Sequence, residues 1–95
     1  MLDPARHEVR RDGEALDLTP TEFRLLETLM RSPGRAYSRL QLLDLVQGYS
    51  FEGYERTIDA HIKNLRQKIE PDPSRPTRVL TVYGVGYKFS ESTSG

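Results

Sequence analysis

The segment ERTIDAHIKNLRQKIE, residues 55–70, constrains the fold of this chain more than any other stretch. Its large aliphatic side chains recur at helical spacing and fall within about 60° of one another when each residue advances the helix by about 100°. These side chains are Ile58, Ile62, Leu65 and Ile69. The pattern predicts an amphipathic helix with a buried aliphatic stripe. Pro71 predicts its end, because proline has no amide hydrogen to continue the helical bonds.

The opposite face of this helix carries positive charge and carboxamides instead of the mixed Glu and Lys of an ordinary solvated face. It comprises Arg56, Ala60, Lys63, Asn64 and Gln67, with Asp59 and Arg66 on one flank and Thr57, His61 and Lys68 on the other. Asn and Gln can pair with adenine, Arg with guanine, and Ala can contact a thymine methyl group, while cations suit phosphates. The face therefore indicates contact with the major groove of DNA; a merely exposed helix face is the alternative. An ion pair between Asp59 and Lys63 is also expected.

Two shorter helices are predicted earlier in the chain. The first begins after Thr19, with Pro20 in the first turn and Glu22 completing a capping box, and it ends at residues 32–34. Its apolar face comprises Phe23, Leu25, Leu26, Leu29 and Met30. The second begins after Ser38, with Gln41 as the capping partner. It is expected to bury Leu42, Leu43, Leu45 and Val46 against the first helix and to end at Gly48.

Extended segments flank the helices. Residues 7–18 read as two short strands around Asp12-Gly13, a hairpin turn signal, and Ala36-Tyr37 reads as one short extended piece. A proline-rich connector follows the third helix. Residues 78–89 then form a second hairpin across Gly84-Val85-Gly86. The order of elements predicts an α+β domain.

Composition narrows the class of protein. The chain has 95 residues, no cysteine and a formal net charge of zero. Disulfides and cysteine-based zinc sites are therefore excluded, and no apolar run reaches the length of a membrane span. Charge is uneven, because residues 56–88 hold seven Lys and Arg against three Asp and Glu, an excess of four positive charges. This asymmetry indicates that a polyanionic partner binds at residues 56–88.

Signals for catalysis or metal binding are weak. His61 has no second His or Cys at ligand spacing, since the only other histidine is His7. No nucleophile is paired with a base, and no carboxylates are paired. We expect no enzymatic activity, no metal site and no cofactor, and a phosphate or packing contact for His61. In the loop GYSFEGY, residues 48–54, the aromatic side chains either fold back on the core or contact a partner.

Three segments carry a family resemblance: LTPTEFRLLETLMRSPGRAYSRLQLLDLV, ERTIDAHIKNLRQKIE and TVYGVGYKF. In this order and spacing they resemble the effector domain of the OmpR/PhoB family of bacterial response regulators, over residues 2–90. The resemblance implies a winged helix-turn-helix with a small N-terminal antiparallel sheet, three helices and a C-terminal β-hairpin wing at 78–90. The domain is expected to span residues 1–90, followed by a disordered polar tail at 91–95. The third helix would lie in the major groove and the wing at the neighbouring minor groove.

The resemblance also assigns residues to roles. Base readout is expected from Asn64 and Arg66, to which the helical face adds Gln67 and Ala60. Phosphate contacts are expected from Arg39, Arg56, Thr57, His61, Lys63 and Tyr87, and minor-groove contacts from Thr81 and Tyr83. The helical wheel places Arg56, Lys63 and Asn64 on the exposed face but Arg66 on its flank, so the role of Arg66 rests more on the resemblance than on geometry.

The chain departs from the family pattern in three ways. Tyr83 replaces the usual wing arginine and cannot supply positive charge to a narrow minor groove. Gln47 stands where many relatives have tryptophan, which places a phosphate contact there in doubt. The first strand of the family is expected to be largely missing. The receiver domain with its phosphorylated aspartate is absent from these residues, so the chain is expected to be the effector part of a longer protein.

Partners and location follow from the same resemblance. Double-stranded DNA with tandem half-sites is the expected target, and full-length phosphorylated protein is expected to form a homodimer. A sensor histidine kinase would act through the receiver domain, and RNA polymerase would contact Tyr49, Phe51 and Tyr54. The expected location is the cytoplasm, without membrane contact. The alternative is a winged-helix protein-interaction module without DNA binding, favoured by the neutral net charge and by Tyr83.

Overall fold

The computed structural model describes residues 2–3, 8–11, 13–48 and 53–91. These residues form an α+β domain, as predicted. Its strands are β1 (Leu2–Asp3), β2 (Glu8–Arg11), β3 (Glu14–Leu16), β4 (Tyr37–Ser38), β5 (Val79–Val82) and β6 (Gly86–Phe89). Its helices are α1 (Pro20–Arg31), α2 (Arg39–Gln47) and α3 (Arg56–Ile69). None of the helices in this part of the chain has the length and apolar character needed to cross a bilayer.

The strands form two antiparallel sheets. The N-terminal sheet has the order β1-β2-β3, in which β1 is only two residues long. The second sheet has the order β4-β6-β5. The predicted hairpin is thus joined by the short strand between α1 and α2, with Tyr37 opposite Tyr87. Gly86 permits this pairing, because a Cβ atom there would overlap the carbonyl oxygen of Tyr37.

Side-chain caps fix the start of the first two helices. Around α1, Thr19 N donates to Glu22 Oε1 at 3.0 Å and Glu22 N donates to Thr19 Oγ1 at 3.2 Å. Ser38 and Gln41 form the equivalent pair at α2, at 2.8 and 3.0 Å. Such caps each stabilise a helix by about 0.5–2 kcal/mol. Gly48 ends α2 in the left-handed conformation with φ 81°, so both predicted capping boxes and this helix end are confirmed.

The core lies between the three helices and the inner side of the second sheet. All four residues of the predicted α3 stripe are buried, which confirms the helical period. They pack with Phe23, Leu25, Leu26, Leu29, Tyr37, Leu42, Leu43, Val46 and Val79. The expected burial of Leu45 is wrong, because its side chain is 58% exposed. Leu45 lies about 200° around the helix from Leu43 and therefore faces away from α1.

A buried carboxylate holds the connector between α3 and β5. Glu70 is 1% exposed and accepts hydrogen bonds from the main-chain N–H groups of Thr77, Arg78 and Val79 at 2.8–3.1 Å. The guanidinium of Arg78 also donates a hydrogen bond to the carbonyl oxygen of Ile69 at the end of α3. The proline-rich connector is thus tied to the helix that precedes it, which sets where β5 begins.

Candidate nucleic-acid interface

The face of α3 opposite the buried stripe is open to solvent. Arg56, Ala60, Lys63, Asn64 and Gln67 are all exposed along 12 residues of the helix. This agrees with the helical wheel, and it places two cations and two carboxamides on one continuous surface. The side chain of Lys68, predicted on the flank, instead reaches inward and forms an ion pair of 2.6 Å with the buried Glu22.

Asp59 connects this helix to two other elements. Its Oδ2 accepts a hydrogen bond of 2.7 Å from Nη1 of Arg39, the first residue of α2. Its Oδ1 accepts one of 2.7 Å from the hydroxyl of Tyr87 in β6. The expected ion pair with Lys63 is wrong: within the described residues, the carboxylate of Asp59 turns to partners that are distant in sequence. Asp59 raises the pKa of Arg39, first through the hydrogen bond and then through its charge.

Arg66 is held against the wing. Its Nε and Nη2 donate to the carbonyl oxygen of Val79 at 3.0 and 2.8 Å, and Nη2 also donates to Thr81 Oγ1 at 2.9 Å. The guanidinium carbon lies 5.4 Å from the centre of the Tyr87 ring, within the range of a cation–π contact. Base readout by Arg66 stays a prediction, and it would require these bonds to be exchanged for bonds to a base.

Tyr87 lies between Asp59 and Arg66. Partial burial raises the pKa of Tyr87 to about 12, and the hydrogen bond to Asp59 acts in the same direction. The hydroxyl has a single proton, and Asp59 receives it. The phosphate contact of Tyr87 therefore stays a prediction. To donate its proton to a phosphate, the hydroxyl would have to break its hydrogen bond to Asp59. Arg39 uses only Nη1 on Asp59 in the described residues, and a guanidinium has further N–H groups to offer a phosphate.

The remaining predicted contact residues lie at the start of α3, on its flank and on the wing. Thr57 is exposed at the start of α3, although its hydroxyl donates to the carbonyl oxygen of Tyr54 at 2.7 Å. His61 is partly buried on the flank. At the tip of the wing, Tyr83 is 91% exposed, and Thr81 is exposed at the base. Of the predicted contact residues, the structure brings Arg39, Thr81, Tyr83 and Tyr87 together around one groove beside α3.

An open groove separates the helix from the wing. It has a volume of about 380 Å³, with Arg39 and Asp59 on one side and residues 81–87 on the other. A second hollow of about 270 Å³ lies between α3 and the connector, where Lys63, Arg66 and Gln67 line it. Both hollows are open, which suits an extended polymer better than an enclosed small molecule.

The predicted polymerase-contact residues are only partly described. Tyr54 is 55% exposed, which leaves it accessible to a partner. Tyr49 and Phe51 lie outside the described residues. Among the residues that the structure describes, no cluster of three or more His, Asp or Glu side chains could hold a metal ion.

The network through Asp59 is the feature that sequence reasoning missed. Its partners lie 20 and 28 residues away in sequence, so no helical or strand period relates them to Asp59. The only signal was an acidic residue next to a basic face, and its spacing of four residues from Lys63 favours a local ion pair instead. Nothing in the sequence beyond the position of Glu70 before Pro71 indicates that its carboxylate is buried and binds main-chain N–H groups.

Comparison with known proteins agrees with this geometry. Residues 13–89 match the family described as transcriptional regulatory protein, C terminal. The chain is 48% identical over 88 residues to the sensory transduction protein RegX3 of Mycolicibacterium smegmatis, covering 93% of this chain and 39% of RegX3. It is 51% identical over 88 residues to SphR of Synechococcus elongatus, an alkaline phosphatase synthesis transcriptional regulatory protein, covering 93% of this chain and 34% of SphR. The chain therefore spans less than two fifths of the length of these relatives.

A solved structure gives the same result for the fold. The Klebsiella pneumoniae RstA DNA-binding domain, crystallised in complex with the RstA box, superposes with a TM-score of 0.85 at 31% identity, covering 94% of this chain and 88% of that domain. The two antiparallel sheets, the three helices and the hairpin after α3 are thus those of a winged helix. On the family match, the sequence identity and the shared fold together, the chain belongs to the OmpR/PhoB family of response regulators and comprises its C-terminal winged-helix domain.

Proposed function

We propose that this domain binds double-stranded DNA in a sequence-specific manner and serves transcription control by a two-component response regulator. In this proposal α3 lies in the major groove and the β5–β6 wing, residues 78–90, lies at the adjacent minor groove. The observation that carries it is the exposed face of α3, which presents Arg56, Lys63, Asn64 and Gln67 opposite a fully buried stripe. The likeness to RstA, a domain crystallised on its box, supports the same mode of binding.

The contacts divide by chemistry. Carboxamides suit base edges, so Asn64 and Gln67 are proposed to read bases, with Ala60 leaving room for the helix to approach. Charged and hydroxyl groups suit phosphates, which position the domain without reading sequence. The proposed phosphate contacts are Arg39, Arg56, Thr57, His61, Lys63 and Tyr87. On the wing, Thr81 and Tyr83 are proposed to face the minor groove. Arg66 adds base readout only if its side chain releases its hydrogen bonds to the wing.

Regulation is proposed to come from the rest of a longer protein. A sensor histidine kinase would phosphorylate a receiver domain and favour a homodimer, whose two effector domains bind tandem half-sites about one helical turn apart. RNA polymerase is the proposed partner of the loop that ends at Tyr54. The regulator is proposed to be a cytoplasmic protein without enzymatic activity. Changing Tyr54 to alanine should lower transcription from a target promoter at unchanged DNA affinity; a parallel loss of affinity would contradict the proposed polymerase contact.

A second function has one observation in its favour. The wing tip presents Tyr83 and Val85, which are 91% and 49% exposed, and such apolar side chains suit a protein partner. A winged-helix protein-interaction module would, however, place apolar residues on the outer face of α3 as well. That face carries charged and amide side chains instead, so DNA binding is the better-supported function.

Selection of bound sites from a random duplex pool tests the proposal. The domain should enrich a defined sequence. Asn64→Ala should relax the preference at one position by about 1–3 kcal/mol, whereas Lys63→Ala should weaken binding to all sequences alike. Both side chains are exposed, so neither change removes core packing. A pool that stays unenriched after repeated rounds with folded domain would contradict sequence-specific binding.

A further inference from the structure

Asp59 poses a problem for a helix that contacts DNA. It is the only acidic residue in α3, and its side chain remains 41% exposed. It lines the groove between the helix and the wing. A carboxylate on this side of the domain repels phosphates, so its presence calls for a compensating role.

The carboxylate joins three elements at a single point. One oxygen binds Arg39 at the start of α2 and the other binds Tyr87 in β6, each at 2.7 Å. Charge-assisted hydrogen bonds of this length are among the stronger ones in proteins. Because each partner has its own oxygen, both bonds can persist together. Asp59 thereby links the first turns of α2 and α3 to the central strand of the second sheet.

The link continues into the wing. The ring of Tyr87, whose hydroxyl binds Asp59, lies beside the guanidinium of Arg66 at 5.4 Å. Arg66 in turn donates to Val79 and Thr81 on β5. Both strands of the wing are therefore attached to α3, β6 through Asp59 and β5 through Arg66. The distance between helix and wing is fixed by these side chains, of which Asp59, Thr81 and Tyr87 line the groove.

That distance matters if the proposed function holds. Adjacent major and minor grooves of a duplex are separated by one sugar–phosphate strand, so a helix and a wing in the two grooves must straddle that strand. The groove of about 380 Å³ lies where the strand would pass. A preset separation avoids the loss of affinity that ordering the wing upon binding would bring.

We propose that Asp59 is a positioning residue for DNA binding: it orients Arg39 and Tyr87 and fixes the wing relative to α3, and it contacts no DNA itself. The inference rests on the proposed function. It predicts that the Asp59 carboxylate strengthens binding to DNA through the groups it positions. Its negative charge alone would weaken binding to a polyanion.

The substitution Asp59→Asn separates the two effects by sign. Electrostatics alone predicts about two- to threefold tighter binding, for an assumed distance of about 8 Å in water between the removed negative charge and a phosphate. Loss of positioning predicts about tenfold weaker binding, the equivalent of one hydrogen bond to a charged group. The matched control is Asp44→Asn, since Asp44 is exposed on α2 and belongs to none of the contacts described above. It should leave affinity unchanged or slightly raised.

The free domain provides a readout that needs no DNA. The hydrogen bond and charge of Asp59 help to raise the pKa of Tyr87, so Asp59→Asn should lower that pKa, as followed by tyrosinate absorbance and compared with Tyr87→Phe. Thermal unfolding checks that each variant is folded. If Asp59→Asn fails to fold, Asp59→Glu keeps the negative charge but displaces the carboxylate from Arg39 and Tyr87, so positioning predicts weaker binding whereas charge alone predicts no change.

The outcomes distinguish the two proposals. If the unchanged domain ignores duplex DNA, the proposed function fails and the inference fails with it. If the unchanged domain binds and folded Asp59→Asn binds equally or more tightly, only the inference is overturned. Weaker binding by Asp59→Asn and by Tyr87→Phe, with a double variant no worse than the weaker single variant, supports a shared positioning contact.

Discussion

Replacing Glu70 with glutamine tests how the wing is attached to the helix bundle. The two carboxylate oxygens of Glu70 accept three main-chain N–H groups from residues 77–79, in a site that is 1% exposed. Glutamine has nearly the same shape but offers one oxygen, and its amide group would point at an N–H donor. The remaining bonds become neutral, and at least one of the three main-chain N–H donors, which are buried or partly buried, loses its partner.

The expected cost follows from these bonds. A buried donor without an acceptor costs about 1–3 kcal/mol, and each bond to a charged acceptor is worth about 1 kcal/mol more than a neutral one. We therefore expect Glu70→Gln to lower the free energy of unfolding by about 3 kcal/mol, out of a total of about 5–15 kcal/mol for a small domain. At about 4–8 °C per kcal/mol for a domain of this size, Tm should fall by at least about 12 °C.

Thermal unfolding followed by circular dichroism, with urea unfolding as a second measure, gives both quantities. Glu14→Gln is the control, because Glu14 is exposed on β3 and the chemical change is identical. The control should lie within about 0.5 kcal/mol of the unchanged domain. Amide exchange at residues 77–79 should also accelerate in Glu70→Gln. A Tm within about 3 °C of the unchanged domain would refute the reasoning, since it would mean that the connector does not depend on the carboxylate.

Three further predictions concern other parts of the domain. Tyr83→Arg should tighten DNA binding, favour A/T-rich flanks and steepen the salt dependence by about 0.9 per added phosphate contact; unchanged affinity would count against a minor-groove position for the wing tip. The pKa of Tyr87 rises from 10.0 to about 12 on folding. Stability should hold below pH 10 and fall as pH rises towards 12, because the unfolded chain releases this proton first. The loss is at most about 2.7 kcal/mol and nearer 1 kcal/mol after solvent screening, and alkaline unfolding of Tyr87→Phe should lack it. Leu43→Ala should cost about 2–5 kcal/mol and Leu45→Ala less than about 0.5 kcal/mol; equal costs would contradict the outward position of Leu45.

Local signals in the sequence predict most of the fold. The capping boxes at Thr19 and Ser38 predict where α1 and α2 begin, since each depends on residues only three positions apart. The stripe of α3 follows from a single helical period that is repeated over about three turns, from Ile58 to Ile69. The orientation of α2 is less certain from sequence, because leucine at four positions in a nine-residue helix leaves more than one face apolar. The wrong prediction for Leu45 has this origin.

The candidate site is predicted less completely than the fold. Exposure of Lys63 and Asn64 follows from the same period that buries Ile62 and Leu65. The partners of Asp59 and Arg66 do not, because they depend on how the wing folds back over α3. Helical spacing pairs Asp59 with Lys63, four residues later in the sequence. In the tertiary structure its carboxylate instead binds Arg39 and the hydroxyl of Tyr87, each at 2.7 Å. Such contacts are determined by the packing of elements and not by any local spacing.

Equilibrium binding of the isolated domain to duplex DNA over a range of salt concentrations tests the central claim most directly. Three proposed phosphate-binding cations, Arg39, Arg56 and Lys63, predict a slope of about −2.7 in a plot of log affinity against log salt, or about a 40-fold loss between about 50 and 200 mM. Lys63→Ala should bind more weakly and make the slope shallower by about 1. If the folded domain shows no affinity for duplexes in dilute buffer, or if Lys63→Ala leaves affinity and slope unchanged, the outer face of α3 does not enter DNA.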